Sequence, residues 1–459
     1  MADRGELRPT PTAGVSRRVV LGSALGAAAV IGVGSAVATA AATSAAPAAR
    51  RVAFRCWAGP DLAQGSHSGT RATTAGLVLA GSVEKRVYTD PFPGGVTRTY
   101  DMATWTSPAV TPGFGLTQAI ASWEADTPDG SWVEVSIGGT SSGGFSGWFV
   151  VGRWCSNDPA QGGAIHRCSV DGQATAVARM DTDTLSLLGG ATLTSWAVRV
   201  TLLRPVGATT SPTVRLIGAV ASALPVGTTV PVSPPGVARG VTLDVPALSQ
   251  EVHRGHYPEW SNGGEAWCSA TSTAMVLGFW GTGPNGADVS WVTPWVDSQV
   301  DYAARNVFDY TYSGCGNWPF NTAYAARFGL RSFVTRLRSL SEAEGFIKAG
   351  IPLIVSVSFS RTELTGAGYG TSGHLMVIVG FTANGDVIVN DPASHLIADN
   401  GQVRTVYQRA QFENVWIPRS GGTAYVIHPQ AVKLPRAPRE ANWPVSSLGT
   451  VPIRAVRPR

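Results

Sequence analysis

The chain has 459 residues, with 35 Lys and Arg against 30 Asp and Glu, for a formal net charge of +5. Only 14% of residues are charged and 44% are hydrophobic, which excludes a disordered chain and leaves room for roughly two to three domains. The positive charge is mild and scattered, and no Lys/Arg cluster interleaves with aromatics, so no nucleic-acid partner is expected.

The N-terminus reads as a targeting segment over residues 1–48. Ser16-Arg17-Arg18-Val19-Val20-Leu21 resembles the twin-arginine export signal, and small or apolar residues run from Val19 to about Ala42. Ala38-Thr39-Ala40 and Ala46-Pro47-Ala48 both fit a cleavage site. The run is rich in Ala and Gly and poor in Leu and Phe, which favours a cleaved leader over a membrane anchor. The mature protein is therefore expected outside the cytoplasm, secreted or cell-wall associated, with no stable membrane insertion. That compartment permits disulfides. Cys155 and Cys168 flank a turn-rich connection and are expected to bridge, and Cys56 pairs with Cys315 by elimination. Cys268 is then the one cysteine left free.

Residues 49–224 read as all-β. Trp132-Val133-Glu134-Val135-Ser136-Ile137 alternates at period two, and similar short runs recur at Gly147–Gly152, Trp196–Leu203 and Val214–Val220. Turn pairs punctuate them, so a sandwich of jelly-roll type is expected. Trp105, Trp123, Trp132, Trp148, Trp154 and Trp196 are read as packing residues rather than a carbohydrate platform. Residues 225–240 carry Pro225, Pro231, Pro234 and Pro235 and read as a semi-rigid linker.

From residue 241 to 434 the pattern changes to α+β. Leu243–Gln250 is expected to be an entry strand, followed by a loop with His253, His256, Tyr257 and Trp260. A helix starts at Cys268, and Trp291–Tyr310 and Phe320–Phe328 are helix-compatible. Arg331–Leu337 reads as a strand, and Ser341-Glu342-Ala343-Glu344 reads as a capping box. The runs Ile351–Phe359 and His374–Phe381 are strands. Asn384-Gly385 makes a hairpin into Val387–Asp391, and a helix near Arg409–Trp416 precedes a strand at Ala424–Ile427. Residues 435–459 form a Pro- and Arg-rich tail, flexible or wrapped on the surface.

The chemistry centres on Cys268. A thiol at a helix start meets unpaired N–H groups and the positive end of the helix dipole, which favour the thiolate. A cysteine nucleophile also needs a base, an orienter for the base and oxyanion donors. His374 starts a strand beside Gly373 and supplies the base. Asp391 ends the next strand. With Phe381 paired to Val387, the two lie toward the same end, and a twist or bulge is needed to bring them together. Gln250 can join the Cys268 N–H as oxyanion donor. His395 is the alternative base. His253 and His256 lack a third ligand at a recognisable spacing and are assigned a loop role, so no metal or cofactor is expected.

Gln250, Trp267-Cys268-Ser269, Gly373-His374 and Val389-Asn390-Asp391-Pro392 resemble the papain-clan cysteine peptidases of the bacteriocin-leader-processing type, family C thirty-nine and its like. Tyr257-Pro258, Gly264–Ser269 and Gly316-Asn317-Trp318-Pro319-Phe320-Asn321 look like its secreted actinobacterial branch. The resemblance covers about residues 241–430. It implies a papain-like fold with Cys268 as nucleophile, His374 as general base and acid, Asp391 as orienter and Gln250 as oxyanion donor. Where many relatives have Cys-Gly-Pro, this chain has Cys268-Ser269-Ala270. The partner implied is a peptide or protein substrate, cell-wall peptide included. Two alternatives stand beside peptidase action. One is a cell-wall peptide amidase or endopeptidase. The other is a wall- or glycan-binding protein with an inactive peptidase-like fold.

Overall fold

The computed structural model describes residues 49–81 and 83–444; the export motif and the last residues of the tail lie outside that range. The N-terminal half is two seven-stranded sheets. In the first, Gln118–Asp126 and Thr213–Ala223 are central neighbours, and Arg51–Ala58 adds to Thr213–Ala223. In the second, Trp132–Ser141 and Ser195–Pro205 are central neighbours. All named strand pairs in both sheets are antiparallel. Ser195–Pro205 starts with alternating burial, as a strand covered on one face does. Of the six tryptophans read as packing residues, five are buried and Trp148 is partly exposed.

Gln118–Asp126 does not alternate, because it is buried on both faces. Its second face packs on the C-terminal half. Residues 118, 122 and 124 project the same way, as the period of two requires. Gln118 accepts from the Arg336 guanidinium (2.6 Å), and the Ser122 hydroxyl accepts from the Val334 N–H (3.2 Å). Glu124 accepts from the Ser332 N–H (3.0 Å) and from Arg331 (2.7 Å). Phe320 fits beside Trp123 and Trp154, opposite Gly152, where even a Cβ would collide with its ring. One hydrophobic core therefore runs through both halves.

Arg331 and Glu124 are 1% and 0% exposed in their side chains, so removing one strands the other. Glu124→Ala is expected to lower unfolding free energy by about 3–5 kcal/mol. Guanidinium denaturation followed by tryptophan fluorescence measures it, and a loss under about 1 kcal/mol would contradict this account of the interface.

The C-terminal half is α+β. Helices α1 (Cys268–Phe279), α2 (Gln299–Val307) and α3 (Trp318–Ala326) precede most of a six-stranded antiparallel sheet. Its order is Arg331–Arg336, Thr423–His428, Leu353–Phe359, Thr371–Phe381, Val387–Asn390 and Arg404–Tyr407. Two more helices are α4 (Leu340–Lys348) and α5 (Arg409–Ser420). Helix α1 is buried from Ser269 to Leu277, with hydroxyls as well as apolar groups inside. Most of those hydroxyls are satisfied locally: Ser269 by Tyr425, Ser272 by the Leu375 carbonyl, Thr273 by the Ser269 carbonyl. The Ser272 bond ties α1 to the strand residue next to His374.

Several local expectations are corrected. Leu243–Gln250 is not a strand. Its backbone pairs with the sheet only at Thr242 and Leu243, Pro246 has no N–H to continue a ladder, and the chain turns into a 3-10 helix at Gln250–His253. The helix expected from Trp291 is confined to α2, since Pro294 and the positive φ of Asp297 (41°) block an earlier start. No capping box forms at Ser341. The N-cap is Ser339, and the Glu344 carboxylate instead accepts from the N–H groups of Gly236 and Ala238 and pairs with Arg409. Those bonds, with Val230 on Asn414 and Ser233 on Glu413, pin the 225–240 segment to the C-terminal half. Residues 435–444 also pack down, with Asn442 and Trp443 buried.

Neither expected disulfide is present; all five cysteines are free thiols. Arg153 pairs with Cys168, so continuing that register puts His166, not Cys168, opposite Cys155. Diagonal partners in a ladder stand about 7–8 Å apart, beyond disulfide reach. The Cys155 thiol donates instead to the Ile165 carbonyl (3.2 Å). Cys56 lies opposite Gly218 in the sandwich, while the Cys315 thiol faces the Ala304 carbonyl (3.5 Å).

Candidate active site

Cys268 is the first residue of α1. Trp267 is the N-cap, and no side chain caps the helix, so its first-turn N–H groups stay available. The Trp267 indole is anchored on the Trp260 carbonyl (2.5 Å), which fixes the approach to the helix. Cys268 is half-buried, whereas the other four cysteines are buried.

His374 sits near the start of the strand Thr371–Phe381, paired opposite Val357. The next strand pairs Phe381 with Val387, the two strands joined through the Asn384-Gly385 turn with Thr382 bonded to Asp386. Gly385 has φ of 93°, a left-handed conformation that glycine adopts without strain. A register shift between Ile378 and Gly380 supplies the required bulge. The His374 Nε2 then lies 2.8 Å from Asp391 Oδ1. With Nε2 committed to the carboxylate, Nδ1 is left for Cys268, whose thiol the ring faces closely enough for each to shift the other. The structure thus brings Cys268, His374 and Asp391 into one chain of contacts.

Sequence reasoning missed the groups around Asp391. Tyr369 donates to its Oδ2 (2.8 Å), Tyr407 donates to the same oxygen (2.9 Å), and the Ala393 N–H donates to Oδ1 (3.0 Å). Tyr369 also lies edge-on to the His374 ring, with centroids 5.7 Å apart. Its Gly-rich loop placed it just ahead of His374, but Tyr407 comes from a strand two positions across the sheet and left no local signal.

Gln250 opens a 3-10 turn against Gly264 and the approach to Cys268. Its N–H donates to the Pro392 carbonyl (2.8 Å), which joins it to the Asp391 loop. Its side-chain amide donates to the Glu265 carbonyl (2.7 Å) and the Glu251 carboxylate (3.3 Å). His395 does not join the set: its Nδ1 faces the Ala367 carbonyl (3.0 Å).

The electrostatics separate Cys268 from the other thiols. Burial pushes Cys56, Cys155 and Cys168 up to about 12 and Cys315 well above its ordinary value. Burial also pushes Cys268 up, but the His374 imidazole and the N–H groups of Leu375 and Ser269 outweigh it, and the thiol falls below its usual range. For His374, burial lowers and the facing Asp391 and Cys268 raise, to a net value of about 10. Burial works against the Asp391 carboxylate as well, yet His374, Tyr369 and Tyr407 hold it below the carboxylate range. The arrangement favours a thiolate–imidazolium pair.

Residues 53–222 match the family model described as the peptidase C39 N-terminal domain. Residues 242–424 match the one described as the peptidase C39-like family. Residues 242–424 are therefore a peptidase C39-like domain. The C39-like match covers Gln250, Cys268, His374 and Asp391, and it ends within the last strand of the six-stranded sheet. The match to the C39 N-terminal domain covers the sandwich. No curated protein matches the chain.

Proposed function

We propose that this chain is an exported cysteine peptidase that hydrolyses peptide bonds through Cys268, His374 and Asp391. The observation that carries the reading is the His374 ring, hydrogen-bonded to Asp391 and set beside the Cys268 thiol at the start of α1. In this reading the Cys268 thiolate attacks the acyl carbon and a C–S bond forms. The carbonyl electron pair moves onto oxygen. The Cys268 N–H at the start of α1 stabilises that oxyanion. Gln250 adds the amide hydrogen now held by its longer contact, to Glu251. The imidazolium of His374 gives its proton to the leaving amine as the C–N bond breaks, leaving a thioester. His374 then takes a proton from water, hydroxide attacks the thioester, and the C–S bond breaks to restore the thiolate and release acid.

The test compares thiol labelling by a peptidyl electrophile in the wild type, Cys268→Ala and His374→Ala. Labelling is expected in the wild type, to be lost without Cys268 and to be slow without His374. Equal rates in all three would sink the reading. Peptide-library and cell-wall peptide digests then distinguish general peptidase action from wall-directed amidase or endopeptidase action.

A pH profile follows from the two shifts. Below the lowered pKa of Cys268 the thiol is protonated and a poor nucleophile. Above about 10, His374 loses the proton it must give to the amine. kcat/KM for a small peptide is expected to be bell-shaped, with its acid limb below the usual thiol range and its alkaline limb near pH 10. A profile that only rises with pH would contradict the ion pair.

A further inference from the structure

The loop between Gln250 and Cys268 carries a second cluster of chemistry-bearing groups that the peptidase reading does not use. His253 ends the 3-10 turn, His256 follows it, and both face Asp301 in the first turn of α2. His253 Nδ1 is 3.0 Å from Asp301 Oδ2, and His256 Nδ1 is 2.9 Å from Asp301 Oδ1. One ligand atom from each residue lies within 4.8 Å of the others. The two imidazole planes cross at 89°, with centroids 5.2 Å apart.

Three features make this more than a hydrogen-bond network. The side chains of His253 and Asp301 are fully buried. Both ring nitrogens of His253, together with Asp301 Oδ2, have no hydrogen-bond partner, although Nδ1 and Oδ2 are only 3.0 Å apart. Buried polar atoms left that way are destabilising unless something else satisfies them. Two atoms that sit side by side without sharing a proton are placed as two ligands of one cation are. Ligands on a tetrahedral metal at about 2.0–2.1 Å stand roughly 3.3 Å apart. Finally, a carboxylate taken out of water needs positive charge beside it, and the ion pairs of Asp301 are to the two imidazoles alone among the described residues. Arg305, one turn along α2, turns instead to Asp158 and the rings of Trp260 and Trp291.

We infer that His253, His256 and Asp301 form a site for a divalent transition-metal cation of the zinc type. Two imidazoles and one carboxylate suit zinc rather than calcium, which takes oxygen ligands. His256 is the one of the three that reaches the surface, with 11% of its side chain exposed. A cation here joins the turn carrying Gln250 to α2, and it does so whether or not Cys268 is a nucleophile. The sequence left these histidines without a third ligand because Asp301 is 45 residues beyond His256 and arrives on a helix.

The test uses the full mature chain with Cys268→Ala, which removes the thiolate that would also draw metal. After chelator dialysis, Zn2+ is titrated by calorimetry and Co2+ by visible absorption. One equivalent is expected, with tetrahedral Co2+ bands and a rise of several degrees in Tm with Zn2+ but none with Ca2+. Adding Asp301→Asn or His256→Gln is expected to weaken binding at least tenfold and abolish the Tm rise. If Asp301→Asn fails to fold, His256→Gln, at the least buried of the three residues, carries the comparison. Less than a tenth of an equivalent bound, or equal binding in both variants, would overturn the site and leave a proton-held His–Asp–His network.

Discussion

His374→Ala is expected to lower kcat/KM by at least about 10^4-fold, equivalent to about 5 kcal/mol of transition-state stabilisation. The ring has two tasks that no neighbour can take over. It holds the Cys268 sulfur as thiolate, and it returns a proton to the leaving amine. His395, the only other histidine near that loop in the sequence, is committed to the Ala367 carbonyl. The variant should still fold. Asp391 loses its ion-pair partner but keeps three donors, Tyr369, Tyr407 and the Ala393 N–H, so its buried carboxylate stays hydrogen-bonded. Backbone pairing of residue 374 with Val357 does not depend on the side chain. Cys268→Ala should remove the thioester altogether, and the double variant should be no worse than Cys268→Ala, because residues acting as one unit do not add. Far-ultraviolet circular dichroism checks the fold, and peptide hydrolysis checks the rate. A His374→Ala protein retaining a tenth of wild-type activity would remove His374 from the mechanism.

What the sequence could and could not say divides along local and non-local lines. The hairpin at Asn384-Gly385 was legible because an Asn-Gly pair marks a tight turn, and the observed Phe381–Val387 pairing, around the loop 383–385, then fixes which end His374 and Asp391 share. The helix start at Cys268 was legible from the switch between a Gly-rich loop and an apolar run. The second face of Gln118–Asp126 was not, since Ser122 and Glu124 look like ordinary outward-facing strand residues until Val334, Ser332 and Arg331 arrive from more than 200 residues away. The same holds for Asp301 against His253. The cysteines show the opposite error. An oxidising compartment argues for pairing, but pairing is decided by register and distance, and the Arg153–Cys168 register leaves Cys155 two positions out. The Pro-rich composition of 225–240 marks a semi-rigid linker but does not show what holds it, since its N–H groups are bound by Glu344, Glu413 and Asn414 from far along the chain.

Asp391→Asn separates the role of charge from the role of position. An amide has nearly the shape of the carboxylate and can still accept from His374 Nε2, so the ring should stay in place. The charge is what disappears. Asp391 is the largest of the influences that raise His374 against the penalty of burial, so without it the imidazolium loses its proton at lower pH. The alkaline limb of kcat/KM should move down from near pH 10, toward the acid limb, and the working window should narrow. A fall in kcat/KM of about 10^2–10^4-fold is expected at the wild-type optimum, the range set by loss of an orienting carboxylate in a nucleophile–His–acid unit. Tyr369→Phe and Tyr407→Phe are the comparison. Each removes one neutral donor from Asp391 Oδ2 and leaves the charge, so each should cost less than about tenfold and shift the limb little. The measurement is kcat/KM against pH for all four proteins with one peptide. If the Asp391→Asn protein keeps the wild-type alkaline limb, the proton on His374 is held by something other than Asp391. If both tyrosine variants match it in rate, then position rather than charge is what Asp391 contributes.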